Sequence, residues 1–146
     1  DFMIQGGDPT SRNAQPGVML GSGGGDMERI PAEFHPNLYH KKGALAAARD
    51  NNPAKASSAC QFYLVEGKKV TEGELNMMES RLGIKYTPEQ RQVYTTIGGT
   101  PFLDKNYTVF GEIEYGIEVV EKIAKTQKGT GDRPLNDIKM KITEIK

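Results

Sequence analysis

Hydrophobic spacing divides the chain into short alternating stretches and a few helical ones. Near the C-terminus Ile138, Met140 and Ile142 alternate with Lys139, Lys141 and Thr143, the period of two that lays one face of a strand on a core. Residues 2–5, 44–48, 61–65 and 107–114 are further short runs rich in β-branched, aromatic or small side chains, so five strands are predicted. After Gly116, Ile117, Val120, Ile123 and Ala124 recur at helical spacing, and lysines near the end of the segment complement the helix dipole. One amphipathic helix packed on a sheet is the expectation.

Residues 67–99 read as a helical hairpin. Thr71 and Glu74 form a capping box, Leu75, Met78 and Leu82 fall on one face, and Gly83 is a stop signal. A second start follows: Thr87 caps, Pro88 sits in the first turn, Gln90 is at N3, and Val93, Tyr94 and Ile97 supply apolar contacts. Met77, Met78 and Leu82 are expected to pack onto the sheet, a Met-rich partner surface being the less favoured reading. The run Gly21-Ser22-Gly23-Gly24-Gly25 lacks the Gly-Lys-Ser/Thr ending, preceding strand and following helix of a phosphate cradle, and reads as a mobile surface loop.

Composition narrows function more than fold. A length of 146 residues suits one domain with its own core, and seventeen glycines with eight prolines favour a β-rich chain over a helical bundle. Nineteen basic and nineteen acidic residues cancel, so nothing draws the chain to nucleic acid or an anionic surface. Cys60 stands alone and forms no internal disulfide; with only His35 and His40 it makes neither a zinc site nor a defensible nucleophile pair. A buried, inert thiol and structural or exposed histidines are expected. Paired carboxylates at a telling spacing are lacking. The longest small-apolar run, 44–48, falls far short of the roughly 20 residues of a membrane helix. No export-signal pattern opens the chain at Asp1, which leaves cell envelope and cytoplasm both open.

The positive signal lies in three ordered motifs that each set large apolar residues beside an amide or hydroxyl: Phe2-Met3-Ile4-Gln5-Gly6-Gly7-Asp8, Ser58-Ala59-Cys60-Gln61-Phe62-Tyr63-Leu64, and Phe102-Leu103-Asp104 followed by Tyr107-Thr108-Val109-Phe110-Gly111. With Gly43-Ala44-Leu45-Ala46-Ala47-Ala48 between the first two, their order resembles the cyclophilin-type peptidyl-prolyl cis-trans isomerases over nearly the whole chain except 67–99, which looks like an insertion. The resemblance implies a mainly β, antiparallel β-barrel with flanking helices, here lacking its N-terminal strands. It also implies a bacterial-type rotamase that assists protein folding by speeding rotation about X-Pro bonds, with no cofactor and no metal. Phe2, Met3, Tyr63 and Leu103 would line a proline pocket and Phe102 and Tyr107 its rim. Gln5 would present an amide to the substrate carbonyl, Gln61 would orient its neighbours or contact the peptide, and Ala48 and Arg49 would offer backbone groups to the residues before proline. Gly6-Gly7-Asp8 is in addition an ordinary turn signal, with Asp8 fixing the loop.

The arginine of the family's F-H-R motif, which precedes the phenylalanine matched by Phe2, has no counterpart here, and Arg49 is nearer by motif than Arg12 or Arg29 to substituting for it. Two opening strands, a helix and the arginine-bearing strand are likewise unmatched, and the expectation is a portion of a longer protein. Phe102 and Tyr107 stand where many eukaryotic relatives have tryptophan and histidine, which implies weak binding of cyclosporin-like ligands. Proline-containing polypeptides are the expected partners, and the alternative function is a non-catalytic proline-peptide binding module.

Overall fold

In the computed structural model, which describes residues 1–146, four short strands form an antiparallel sheet. They are β1 (Met3–Gly6), β2 (Ala44–Ala47), β3 (Phe62–Val65) and β4 (Val109–Glu112), in the order β1-β3-β2-β4. The sheet does not close into a barrel; β1 and β4 are its edges. Met3 lies opposite Val65, Gln5 opposite Tyr63, and Ala46 opposite both Tyr63 and Val109. Opposed residues project to the same face, so one face collects Met3, Gln5, Ala46, Tyr63, Val65 and Val109. Its buried part is Ala44, Ala46, Ala48, Tyr63, Val65 and Val109, with Met3, Leu103 and Tyr107 packed against it. Alanines on central β2 leave the volume that the Tyr63 ring fills.

All three expected helices form, although Ile97, expected to supply an apolar contact, is exposed at the end of the second. Both capping boxes form around α1 (Glu72–Leu82) and α2 (Pro88–Thr96), and Gly83 closes α1 in a left-handed conformation. α3 (Ile117–Ala124) buries Val120 and Ala124 and packs beside β1. The hairpin does not lean on the sheet through its methionines, however. Val70, Leu75, Tyr86 and Tyr94 make a second small core, against which Tyr39, Met78 and Ile84 pack, while Met77 points to solvent. Tyr39 and the tyrosines of 86–94 supply the apolar surface that the sequence reading assigned to the sheet.

Two expectations are corrected. Ile138, Met140 and Ile142 alternate as a strand does, but residues 135–146 adopt no strand and all three side chains are exposed. Alternation states which side chains would share a face; a strand also needs a neighbour whose backbone groups lie in reach, and here no ladder forms. The expected strand over 107–114 is shortened to β4, with a register slip opposite Leu45 and Ala46.

Gly7 turns the chain out of β1 with φ of 93°, and a Cβ there would sit 2.1 Å from the Cys60 carbonyl oxygen. Backbone cannot yield as a side-chain tip can. Gly7→Ala is therefore expected to destabilise the chain by about 2 kcal/mol, read as a lower urea midpoint at unchanged slope. An unchanged midpoint would contradict this close approach.

Candidate functional site: an apolar groove and two amides on the sheet face

The turn after β1 is held by Asp8. Its carboxylate accepts from the N–H (2.8 Å) and hydroxyl (2.7 Å) of Thr10 and from the N–H groups of Gly21 (2.6 Å) and Gly23 (3.2 Å). The glycine-rich loop is thus tied down at its first half rather than free, because its backbone donors point at a carboxylate of this chain. Burial pushes the Asp8 carboxyl up, but these donors outweigh it and leave the group below the ordinary aspartate value. A depressed carboxyl contributes stability above its unfolded value and loses it as pH falls through the folded one. The Gly21 and Gly23 amide resonances are expected to hold through neutral and mildly acidic pH and to move together only below the ordinary value of 3.8. Movement near neutrality would contradict this assignment.

The loop's carbonyls fix the first amide. Gln61 Nε2 donates to Gly21 O (3.1 Å) and Gly23 O (2.7 Å), which occupies both of its N–H bonds and sets which end of the amide is oxygen. That oxygen accepts from Gln5 Nε2 at 2.8 Å. Gln5 has two N–H bonds on that nitrogen, and one remains for another acceptor. Gln61 is buried and Gln5 exposed, so the outer amide is oriented by the inner one while still facing solvent.

Beside the amides lies the apolar surface. Phe2 and Phe102 meet edge to face at 5.4 Å between centroids, each 44% exposed. Met3, Leu103 and Tyr107 are half-buried and rest on the core that contains Tyr63. Tyr63 itself is 1% exposed, so it forms the floor beneath these side chains rather than a wall. Tyr107 sits edge to face with Tyr63, and the Arg49 guanidinium lies 4.4 Å above the Tyr107 ring. Arg49 also donates from Nε to the Asn106 carbonyl at 2.8 Å and from a terminal nitrogen to the Asp50 carbonyl at 2.9 Å, so its charge is held at the rim. Ala48 is buried; its N–H donates to Gln61 O and its carbonyl accepts from Ser58 N, leaving Arg49 as the residue of that pair whose backbone groups are uncommitted. Cys60 is half-buried, with its sulfur toward the Gly23 carbonyl and the Ser58 hydroxyl, rather than fully buried as expected. Arg29 is engaged with Asp50 at the surface.

Sequence reasoning missed the residues beneath the floor. His40, 1% exposed, donates its backbone N–H to Asp104 Oδ1 at 2.8 Å, and its Nδ1 lies 2.8 Å from the same oxygen. His40 Nε2 lies 2.7 Å from the Tyr63 hydroxyl. The other Asp104 oxygen accepts from the hydroxyls of Tyr86 (2.7 Å) and Tyr94 (2.6 Å). Burial, with Asp104 nearby, raises both hydroxyls far above the ordinary tyrosine range and keeps them protonated donors. The signal was the aspartate closing Phe102-Leu103-Asp104 together with a histidine in an apolar surrounding; neither spacing nor period links them. A cavity of about 270 Å³ adjoins this network, lined by Tyr86 and Asp104 together with Phe34, Leu38, Tyr39, Ile84 and Tyr107, and Tyr107 alone is shared with the groove. No cluster of His, Cys, Asp or Glu could hold a metal ion, and no helix is long and apolar enough to cross a membrane.

Comparison with known proteins identifies the family. The family model described as "Cyclophilin type peptidyl-prolyl cis-trans isomerase/CLD" matches residues 1–145. A Staphylococcus saprophyticus protein named "Putative peptidyl-prolyl cis-trans isomerase" is 36% identical over 99% of this chain and 68% of its own length. A protein of the same name from Staphylococcus aureus strain USA300 is 34% identical over 99% of this chain and 68% of its own. In fold, the chain is similar to a cyclophilin-type peptidyl-prolyl cis-trans isomerase of Cryptosporidium parvum, with a TM-score of 0.57 and 20% identity, over 92% of this chain and 61% of that one. A second crystal structure of that protein, determined in the presence of the dipeptide Ala-Pro, matches with a TM-score of 0.53 at 19% identity, over 92% of this chain and 62% of that one. The chain thus spans less than two thirds of the solved proteins and about two thirds of the curated relatives. With its ordered motifs brought onto one sheet face and a family model matched from end to end, the chain belongs to the cyclophilin-type peptidyl-prolyl cis-trans isomerases.

Proposed function

We propose that the groove formed by Phe2, Met3 and Leu103 over Tyr63 takes the ring of a prolyl residue in a flexible polypeptide and accelerates cis/trans exchange of the preceding bond. The uncatalysed barrier is about 20 kcal/mol because twisting removes amide resonance, and exchange takes tens of seconds. No bond is made or broken, so no nucleophile, metal or cofactor is required. What the site must do is hold the ring and bind the twisted amide more tightly than either planar form. The apolar surface serves the first need. The remaining Gln5 N–H serves the second by donating to the substrate carbonyl, whose orientation changes as the bond turns. The observation that carries the reading is the chain Gly23 O, Gln61, Gln5, which aims one uncommitted donor on the sheet face that also bears Met3. Phe102 and Tyr107 would form the rim, and the uncommitted backbone of Arg49 would meet residues before the proline. We read 67–99 as an insertion in this single domain.

Exchange NMR on an Ala-Pro peptide tests this, with the chain's own dispersed amides in the same tube reporting its folding. Accelerated exchange supports the reading. Saturable peptide binding by a folded chain that leaves exchange at the uncatalysed rate would replace it with a proline-peptide binding module. That alternative is favoured by one observation, the commitment of the Arg49 guanidinium to Asn106, Asp50 and Tyr107.

A further inference from the structure

We propose that the helical hairpin positions the floor of the groove: Tyr86 and Tyr94 are positioning residues that act through Asp104 and His40 on Tyr63. This rests on the groove reading above, since it concerns how that groove is held. Neither tyrosine belongs to the groove. Tyr86 lies in the link between α1 and α2, Tyr94 is on α2, and both are fully or almost fully buried. Their hydroxyls converge on one oxygen of Asp104, and the other oxygen takes the His40 backbone and ring. Four donors fill the four acceptor sites of a carboxylate, so its orientation has no slack.

The directions of the bonds then follow one another. With the Nδ1 proton of His40 committed to Asp104, Nε2 is left to accept, and the only proton of the Tyr63 hydroxyl is committed to it. A phenylalanine at 63 would fill the same ring volume without a polar atom to satisfy. The hydroxyl instead binds the floor to a histidine whose other nitrogen is held from the hairpin. A second arm is shorter. Asp104 ends the 3-10 turn Pro101–Leu103, its N–H bonds to the Pro101 carbonyl at 3.1 Å, and Phe102 and Leu103 lie in that turn. Any displacement of the Asp104 carboxylate is passed one residue along the chain to Leu103 and through His40 to Tyr63, a wall and the floor of the same pocket.

The test compares Tyr86→Phe, Tyr94→Phe, Tyr63→Phe and the combined variants in the full chain. Two readouts are used: long-range 1H–15N spectra of the His40 ring, and kcat and KM for exchange of an Ala-Pro peptide. Tyr94→Phe is expected to shift the His40 ring nitrogens and the Met3 methyl and to lower kcat about threefold to tenfold with little change in KM. Tyr63→Phe is expected to do the same, and the combination of the two to do no more than either alone. Additive losses, or a folded hairpin variant with unmoved His40 and Met3 signals, would overturn the proposal. Should Tyr94→Phe fail to fold, Tyr86→Phe carries the same prediction, because it removes a donor from the same oxygen. If the parent chain does not speed exchange, the functional reading falls while the His40 and Met3 signals still decide this one.

Discussion

Asp104→Ala is expected to lower the stability of the chain by about 3–5 kcal/mol, because three buried side-chain donors lose their only strong acceptor at once. Tyr94 and the His40 Nδ1 have no other partner, and the Tyr86 hydroxyl keeps only a long bond of 3.4 Å to the Pro101 carbonyl. The backbone N–H of His40 is orphaned as well. For a chain of this size the loss corresponds to a fall in Tm of about 10 °C, measurable by calorimetry. Asp104→Asn keeps one acceptor oxygen and is expected to fall between the alanine variant and the parent. A drop under about 1 kcal/mol for the alanine variant would mean that water reaches the site, and the hub would not be the closed structure described.

The second large effect belongs to the outer amide. Gln5→Ala removes the uncommitted side-chain donor on the sheet face, and kcat/KM for an Ala-Pro peptide is expected to fall about tenfold to a hundredfold while stability changes little, since Gln5 is exposed. Gln61→Ala should match it in activity without touching substrate, because Gln5 then loses the oxygen that orients it, and should in addition loosen Gly21 and Gly23. Equal activity of Gln5→Ala and parent would remove the amide from the account and leave the apolar surface alone as the binding element.

Part of the spatial arrangement was legible from residue order: Met3 and Gln5 come from one motif and Tyr63 from another, and the register that sets Gln5 opposite Tyr63 puts all three on one face. Capping boxes were legible because they are local: Thr71 with Glu74 and Thr87 with Gln90 need only four residues each. What could not be read was anything requiring two distant segments. Ile138, Met140 and Ile142 carry the period of a strand without a ladder to join, and Met78 packs on tyrosines instead of the sheet. His40 and Asp104, 64 positions apart, reveal their pairing only when the fold brings them together. Likewise the glycine-rich loop looked mobile because its anchor, Asp8, lies thirteen positions away from Gly21.

The most direct test of the central claim is to follow the Met3 methyl, the Leu103 methyls and the Gln5 side-chain amide by NMR while an Ala-Pro peptide is titrated and its cis/trans exchange is recorded in the same tube. The account predicts that these signals shift together with the Phe2 and Phe102 rings, saturate at one affinity, and do so at the concentrations where exchange accelerates. Shifts confined to Phe34, Leu38 and Tyr39 around the separate cavity, with Met3 and Gln5 unmoved, would contradict it.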